Sequence, residues 1–254
     1  MLYRVEGIVI RSVNYGENHV IITLLTSNYG KIGLMVRGAK KTHSRYAGVT
    51  QLYTYGEYVF YKSSQNGMGS MNQGEILNIF RFVRNDLRMS TYAAYFVEMV
   101  DRLLQDGEAS DFVFQQLKAA LEALNEGKDP QIIAHLLEMK LYQFSGIAPT
   151  MEACAVCGCE MTQFKIEVGW SVSAGGIVCP ACQSRTSQFV MIPTGVVHLM
   201  KIMKQIDLRH IGEITVKLET KQWLKQINRQ WFDLHSGVHL KTRPVLDQIE
   251  TSYH

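Results

Sequence analysis

The residues with the plainest chemistry are four cysteines in two pairs, Cys154-Ala-Val-Cys157 and Cys179-Pro-Ala-Cys182, with 21 residues between the pairs. Two thiolates flanking a tight turn reach the same ion, and a second such knuckle completes the tetrahedron that a structural zinc takes. Gly175-Gly176, just ahead of the second pair, supplies the turn that brings the chain back. Four thiolates leave no open position for water, so this metal is expected to hold the fold together and to hydrolyse nothing. An iron–sulfur cluster or a bare thiol cluster fits the same spacing, and zinc is the expected occupant. Cys159 is the odd thiol. It would make a longer C-x-x-x-x-C pair in place of Cys157, but Gly158 after Cys157 favours the shorter knuckle and leaves Cys159 a bystander.

A second group of residues suits a polyanion. Arg37-Gly38-Ala39-Lys40-Lys41 closes a strand-like segment and runs on to Arg45. Lys and Arg contact phosphates without reading bases, and Gly38 lets the backbone come close. Further cations at Arg11, Lys31, Lys62, Arg81, Arg84 and Arg88 extend the track along the chain. Tyr53, Tyr55, Tyr58, Phe60 and Tyr61 are of the type that stacks on bases, but strand parity sends about half of such a set into a core. Trp223 and Trp231, two helical turns apart, read as core packing.

Catalysis has no visible carrier. Gly30-Lys31 runs into Ile32 without the glycine spacing of a P-loop, and Gly67-x-Gly69 has Asn72 where a third glycine is needed. No H-E-x-x-H, no G-x-S-x-G and no His-x-Glu ahead of Pro180 is present, and the eight histidines are scattered.

The elements that must carry these groups fall into two kinds. Up to about Phe80 the period is two, with strands expected at Tyr3–Ile10, His19–Leu25, Lys31–Val36, Leu52–Tyr61 and Gly74–Phe80. The breaks fall at Asn14–Asn18, Asn28-Tyr29-Gly30 and Ser63–Ser70. Five short strands with uneven loops are the size of a closed barrel such as an OB-fold, and a small open sandwich gives the same pattern. Near Asn85-Asp86 the period becomes about 3.6. Helices are expected after a Ser90 cap through Leu104, after Ser110 to Gly127, and from Asp129-Pro130 to Gly146, making a bundle on short loops. Two more, Thr194–Gln205 and Thr220–Leu234, pack back on it. The fold class is therefore α+β and multidomain: an OB-fold-like barrel over residues 1–82, then a mainly helical domain over 83–254 with the zinc-binding insertion at about 150–190.

Charge follows the same division. The net charge is only +3, but residues 1–85 hold ten Lys/Arg against four acids, and the remainder is mildly acidic. An electropositive front on an acidic body fits a chain that meets a polyanion first and proteins second. With 46% hydrophobic residues the chain can bury a real core. Met1 to Val13 alternates charged and apolar residues, unlike a signal peptide, and charges interrupt every apolar run. A cytoplasmic location with no membrane contact is expected, and in that reducing compartment clustered cysteines point to metal.

Taken together, Glu6-Gly7-Ile8-Val9 to Tyr15-Gly16-Glu17, Gly30-Lys31 into Val36-Arg37-Gly38-Ala39-Lys40, the Cys154 to Cys182 hairpin, and Leu234-His235 to Lys241-Thr242-Arg243 make the chain resemble the bacterial RecO family of recombination mediators. The resemblance covers nearly the whole chain. It implies binding to single- and double-stranded DNA, annealing of complementary strands, and work with RecR to load the recombinase onto DNA coated with single-strand-binding protein. RecF and the RecA recombinase would be reached indirectly, and the location would be the nucleoid. The resemblance places DNA contact on Arg37, Lys40 and Lys41, metal on the four knuckle cysteines, and the acidic tail of the single-strand-binding protein on the helical domain, where Arg102 and the Lys217 to Arg229 region are candidates for the cationic rim of an apolar slot. Some family members lack the cysteines. Two rival readings stand beside it: an RNA- or ribosome-associated zinc protein with the same barrel, and an enzyme with its site in the helical half.

Overall fold

A computed structural model describes residues 1–63, 67–161 and 167–252. The first five strands are β1 (Leu2–Tyr15), β2 (His19–Thr26), β3 (Gly30–Val36), β4 (Tyr55–Tyr61) and β5 (Gly69–Asn78), and they close into a barrel in the order β1-β2-β3-β5-β4. Closure decides between barrel and open sandwich, and the order is that of an OB-fold. Alternation puts Val20, Ile22 and Leu24 of β2, Ile32, Leu34 and Val36 of β3, and Tyr58 and Phe60 of β4 into one core, while Lys31, Gly33 and Met35 face outward. The closing pair is parallel, Leu34 with Gly69 and Met35 with Ser70. A Cβ on Gly69 would stand 2.6 Å from the end of the Leu34 side chain, so a larger residue there would displace that core methyl group.

Several boundaries differ from the alternation. β1 runs through Asn14 and Tyr15, which pair with Val20 and His19, so the turn shrinks to residues 16–18. β4 starts at Tyr55, three residues late, because Leu52 to Thr54 form turns. β5 starts earlier than expected, at Gly69. Residues 64–66 of the anticipated Ser63–Ser70 break lie outside the described residues.

Helix α1 (Arg81–Asn85) follows the barrel, then α2 (Leu87–Leu103), α3 (Asp111–Asn125) and α4 (Pro130–Phe144). Asp86, not Ser90, caps α2: its extended backbone turns the carboxylate back to accept from the Met89 N–H at 2.8 Å, and Ser90 lies inside the helix. Ser110 caps α3 through the Val113 N–H at 3.2 Å. The barrel and the helices up to Pro130 form one compact unit together with the segment from Leu240 on, and Gln131–His239 form a second. Within the first unit, a helix that the period did not reveal, α8 (Thr242–Ser252), docks on α2. The Tyr92 hydroxyl donates to Glu250, and Glu98 receives the Lys241 and Thr242 N–H groups at 2.9 and 2.8 Å.

The second unit holds β6 (Glu167–Ser171), β7 (Gly176–Val178), α5 (Pro180–Gln183), β8 (Val190–Pro193), α6 (Thr194–Gln205), a short 3-10 turn at Leu208–His210 and α7 (Leu218–His235). The strands form a sheet in the order β7-β6-β8. Tyr142 of α4 packs on Phe232 of α7, and the Trp231 indole donates to the Ile147 carbonyl at 2.8 Å, so α7 is anchored on α4 as well as on the sheet through Trp170. Trp231 is core, and Trp223 is half-buried.

Candidate functional site

The sulfurs of Cys154, Cys157, Cys179 and Cys182 all lie within 4.8 Å of one another. Four thiolates around one ion at about 2.3 Å set their sulfurs about 3.8 Å apart, and Cys157 and Cys179 are 3.7 Å apart. The donor set therefore fits a closed tetrahedral site. Cys154, Cys179 and Cys182 are buried and Cys157 is exposed. The first knuckle is held by Gly158 N–H to Cys154 carbonyl and Cys154 N–H to Cys159 carbonyl, both at 2.9 Å. The second opens α5, with Cys179 before Pro180 and Cys182 inside the helix.

One strand crossing sets the distance between the knuckles. Ala155 N–H reaches the Ile177 carbonyl at 2.8 Å, and Ile177 N–H reaches the Thr150 carbonyl at 3.0 Å. Gly176 sits between with φ at 146°, and a Cβ there would come within 2.0 Å of the Thr150 oxygen. Gly175-Gly176 thus makes the turn and also permits the close approach.

Backbone amides converge on the sulfurs. Burial works against charge on Cys154, but the N–H groups of Cys179, Cys157 and Val156 outweigh it and lower the thiol to about 6. The Cys159 N–H lowers Cys157 in the same way. Cys159 and Cys182 are pushed up to about 12 because each gives its proton to a neighbouring sulfur, chiefly Cys157 and Cys179 respectively. Metal binding would displace those protons.

On the barrel, the residues after β3 turn tightly. Gly38 has φ at 73°, its N–H reaches the His19 ring at 3.1 Å, and Lys40 N–H reaches the Asn18 carbonyl at 3.2 Å, so the turn is laced to the start of β2. Ala39 is the anchor, buried in the barrel core. Arg37, Lys40, Lys41 and Arg45 stand exposed around it, and none forms an ion pair with a described residue. Arg45 lies over the Tyr46 ring at 4.8 Å and donates to its hydroxyl at 2.6 Å.

The remaining cations are placed differently. Arg11 and Lys31 close on Asp101, and Lys31 also reaches Asp106 at 2.7 Å. Arg84 is half-buried, donating to the Ile79 and Leu52 carbonyls and the Thr54 hydroxyl, with its guanidinium 4.6 Å from the Tyr53 ring centre. Burial lowers its pKa. Arg81 is exposed. Of the aromatic set, Tyr53, Tyr55, Tyr58 and Phe60 are buried and Tyr61 is exposed, so the core takes more than parity suggested. Apart from the Ile79 carbonyl close to Arg84, the partners that fix Arg11, Lys31 and Arg84 lie 30 to 90 residues away, and no local pattern marks them.

Comparison with known proteins agrees with this arrangement. Residues 1–80 match the family model described as Recombination protein O N terminal, and residues 84–244 match Recombination protein O C terminal. The chain is 39% identical over 251 residues to "DNA repair protein RecO" of Halalkalibacterium halodurans, covering 99% of this chain and 96% of that one. It is 36% identical over 254 residues to "DNA repair protein RecO" of Bacillus subtilis, covering 100% and 97%. A Listeria monocytogenes protein of the same name is 38% identical over 245 residues, covering 96% and 94%.

Proposed function

Because the chain belongs to the RecO family, we propose that it is a DNA-binding, non-catalytic mediator of recombination and repair. The observation that carries the reading is the turn bearing Arg37, Lys40, Lys41 and Arg45: four exposed cations with no carboxylate partner among the described residues, fixed to a closed barrel through Ala39, His19 and Asn18. Cations held this way bind phosphate at little ordering cost and shield its charge. Two complementary strands so shielded can approach and anneal, and no bond need be made or broken by the protein. Residues 1–82 take the DNA in this reading, and residues 83–254 serve RecR and the tail of single-strand-binding protein during recombinase loading. The four-thiol site carries zinc as a structural ion, held by Cys154, Cys157, Cys179 and Cys182, and supplies fold stability alone. No described helix is long and apolar enough to cross a membrane, in keeping with work in the cytoplasm at the nucleoid.

The test is binding and annealing of a labelled single-stranded DNA by the wild type and by Lys40→Glu/Lys41→Glu. The reading expects the double change to weaken binding at least about tenfold and to slow annealing with it. Binding that is unaffected would remove the barrel turn from the DNA site. RNA of the same sequence displacing the DNA preferentially would point to an RNA-binding protein instead.

A further inference from the structure

The outer face of the barrel carries an apolar row that the core does not use. Val20 and Ile22 of β2 pack into the core, so His19 and Ile21 face outward, and their antiparallel partners share that face. Ile21 pairs with Val13 of β1 on one side and with Met35 of β3 on the other, which sets three apolar side chains in a row across three strands. One two-residue step further along, roughly 6.8 Å, Tyr15 pairs with His19. Val13 and Tyr15 are 52% and 53% exposed, and Ile21 and Met35 are half-buried. The Tyr15 ring has neither a hydrogen bond nor an aromatic contact among the described residues, whereas Tyr3 stacks on Phe60 and Tyr46 donates to the Asn72 carbonyl.

This tyrosine stands at the foot of the cationic turn. The His19 ring accepts from the Gly38 N–H at 3.1 Å and the Asn18 carbonyl from the Lys40 N–H at 3.2 Å, so the turn is fastened to the residue opposite Tyr15 and to that residue's neighbour. Between Glu6 and Glu57 the chain holds one acid, Glu17, against six Lys/Arg. Exposed apolar surface suits a protein partner as well as a base, and here charge decides. A face edged by unpaired cations and almost free of acids complements a polyanion.

We propose that the outer face of β1, β2 and β3 is a platform for unpaired bases: one base stacks on Tyr15, its neighbour lies on Val13, Ile21 and Met35, and the phosphates run along Arg37 and Lys40. The inference rests on the DNA reading of the turn given above and adds the part of the nucleotide that cations do not touch. Stacking on an aromatic ring tolerates any sequence, since every base has a π-face, but it needs that face to be free. A base in a duplex is covered by its neighbours above and below. The platform therefore distinguishes a single strand from a duplex, which phosphate contacts by themselves do not. During annealing a base that pairs leaves Tyr15 while its phosphate stays on the turn, so the finished duplex is held more loosely than the strands that made it.

The experiment measures binding of the full chain to a labelled single strand, to a duplex of the same length and to a single strand whose bases are replaced by abasic sites. The variants are Tyr15→Ala, Tyr15→Leu, Tyr15→Phe and Lys40→Glu/Lys41→Glu. Tyr15→Ala should weaken single-strand binding about tenfold, the loss of one base–aromatic stack, while duplex and abasic-strand affinities stay within about twofold of wild type. Its salt slope should be unchanged, since no phosphate contact is lost. Tyr15→Leu fills the position without a ring and should fall with Tyr15→Ala, whereas Tyr15→Phe keeps the ring and should bind like wild type. All three Tyr15 variants should melt with the wild type, as expected of an exposed side chain. If Tyr15→Ala binds the single strand as wild type does, the face serves a protein partner and the platform falls. It falls equally if single strand, duplex and abasic strand weaken together. The charge variant keeps the two levels apart: it should weaken all three ligands, and if it weakens none, the DNA reading of the turn fails and takes this proposal with it.

Discussion

The ammonium of Lys31, on the outer face of β3, lies 3.7 Å from the Asp101 carboxylate and donates to the carbonyl of the same residue at 3.0 Å. Both side chains are nearly closed to solvent, at 8% and 9% exposure. Arg11 of β1 takes the other carboxylate oxygen at 2.6 Å. One acid near the end of α2 thus pairs with cations from β1 and β3 of the barrel wall, and two cations that look like part of a DNA track from the sequence are neutralised, Lys31 in a buried pair and Arg11 in an exposed one.

Removing that acid is expected to cost stability. Asp101→Ala leaves Lys31 buried with only the backbone carbonyl of residue 101 and the exposed Asp106 as partners, and breaking a buried pair costs about 3–5 kcal/mol, reduced here to about 2 kcal/mol by the exposure of Arg11 and Asp106. Urea unfolding measures it. DNA affinity should hold or rise in the same variant, because Arg11 is released while Lys31 stays with Asp106. An unchanged unfolding midpoint would mean that the cluster is a surface ornament.

Acid should loosen α8. Burial works against the charged form of Glu98, but the Thr242 hydroxyl, the Lys241 and Thr242 N–H groups and Arg102 outweigh it and hold the carboxyl below its usual range. A lowered carboxylate stabilises the fold above the unfolded-state value of about 4.3 and loses that contribution as pH falls through the lower folded-state value. Glu98→Gln should therefore lower stability by about 1 kcal/mol at pH 7, a figure discounted for its partial exposure. The gap between variant and wild type should narrow once pH drops below about 4.3. A gap that widens in acid would reverse the assignment.

How much of this was legible in the residues depended on the range of the cause. Alternation in Val20/Ile22/Leu24 and Ile32/Leu34/Val36 wrote the barrel core directly, because each strand's pattern is local, and the two C-x-x-C spacings wrote the metal centre for the same reason. Asp86 displaced Ser90 as a cap since both are good cap residues and only the preceding turn of α1 chooses between them. Helix α8 was hidden because it is short and owes its docking to Tyr92 and Glu98, about 150 residues earlier. The fate of Lys31 was hidden likewise, as a lysine on an outward strand position reads as solvated until α2 is laid across it.

The metal centre should fail through its turn as well as through its ligands. Gly176→Ala forces a Cβ against the Thr150 oxygen at 2.0 Å in a conformation that L side chains rarely adopt, a cost of about 2–3 kcal/mol that falls on the crossing between the knuckles. Reduced zinc content with a melting transition lowered for this region, and barrel strands unchanged in hydrogen exchange, is the expected result. Chelation of the wild type should deprotect residues 150–161 and 167–193 in the same measurement while DNA affinity changes by less than about twofold. If chelation abolishes DNA binding with the barrel still protected, the division of labour between the two regions is wrong.

Salt dependence separates the free cations from the engaged ones. Each phosphate neutralised on a single strand contributes about 0.7 to the slope of log affinity against log salt, so the four free cations of the turn should give a slope near −3. Lys40→Ala and Lys41→Ala should each reduce its magnitude by about 0.7. Lys31→Met should leave the slope alone, because its ammonium is spent on Asp101 and Asp106, and should lower stability instead. Arg84, with its donors on Ile79, Leu52 and Thr54, should behave like Lys31. The contrast matters more than either value: Coulomb attraction to a polyanion counts cations that have kept no carboxylate of their own and can meet a phosphate, and on this barrel the turn after β3 gathers four of them. Equal loss of slope from Lys31→Met and Lys40→Ala would mean that α2 lifts away when DNA binds and that the clamp on Asp101 opens in the complex.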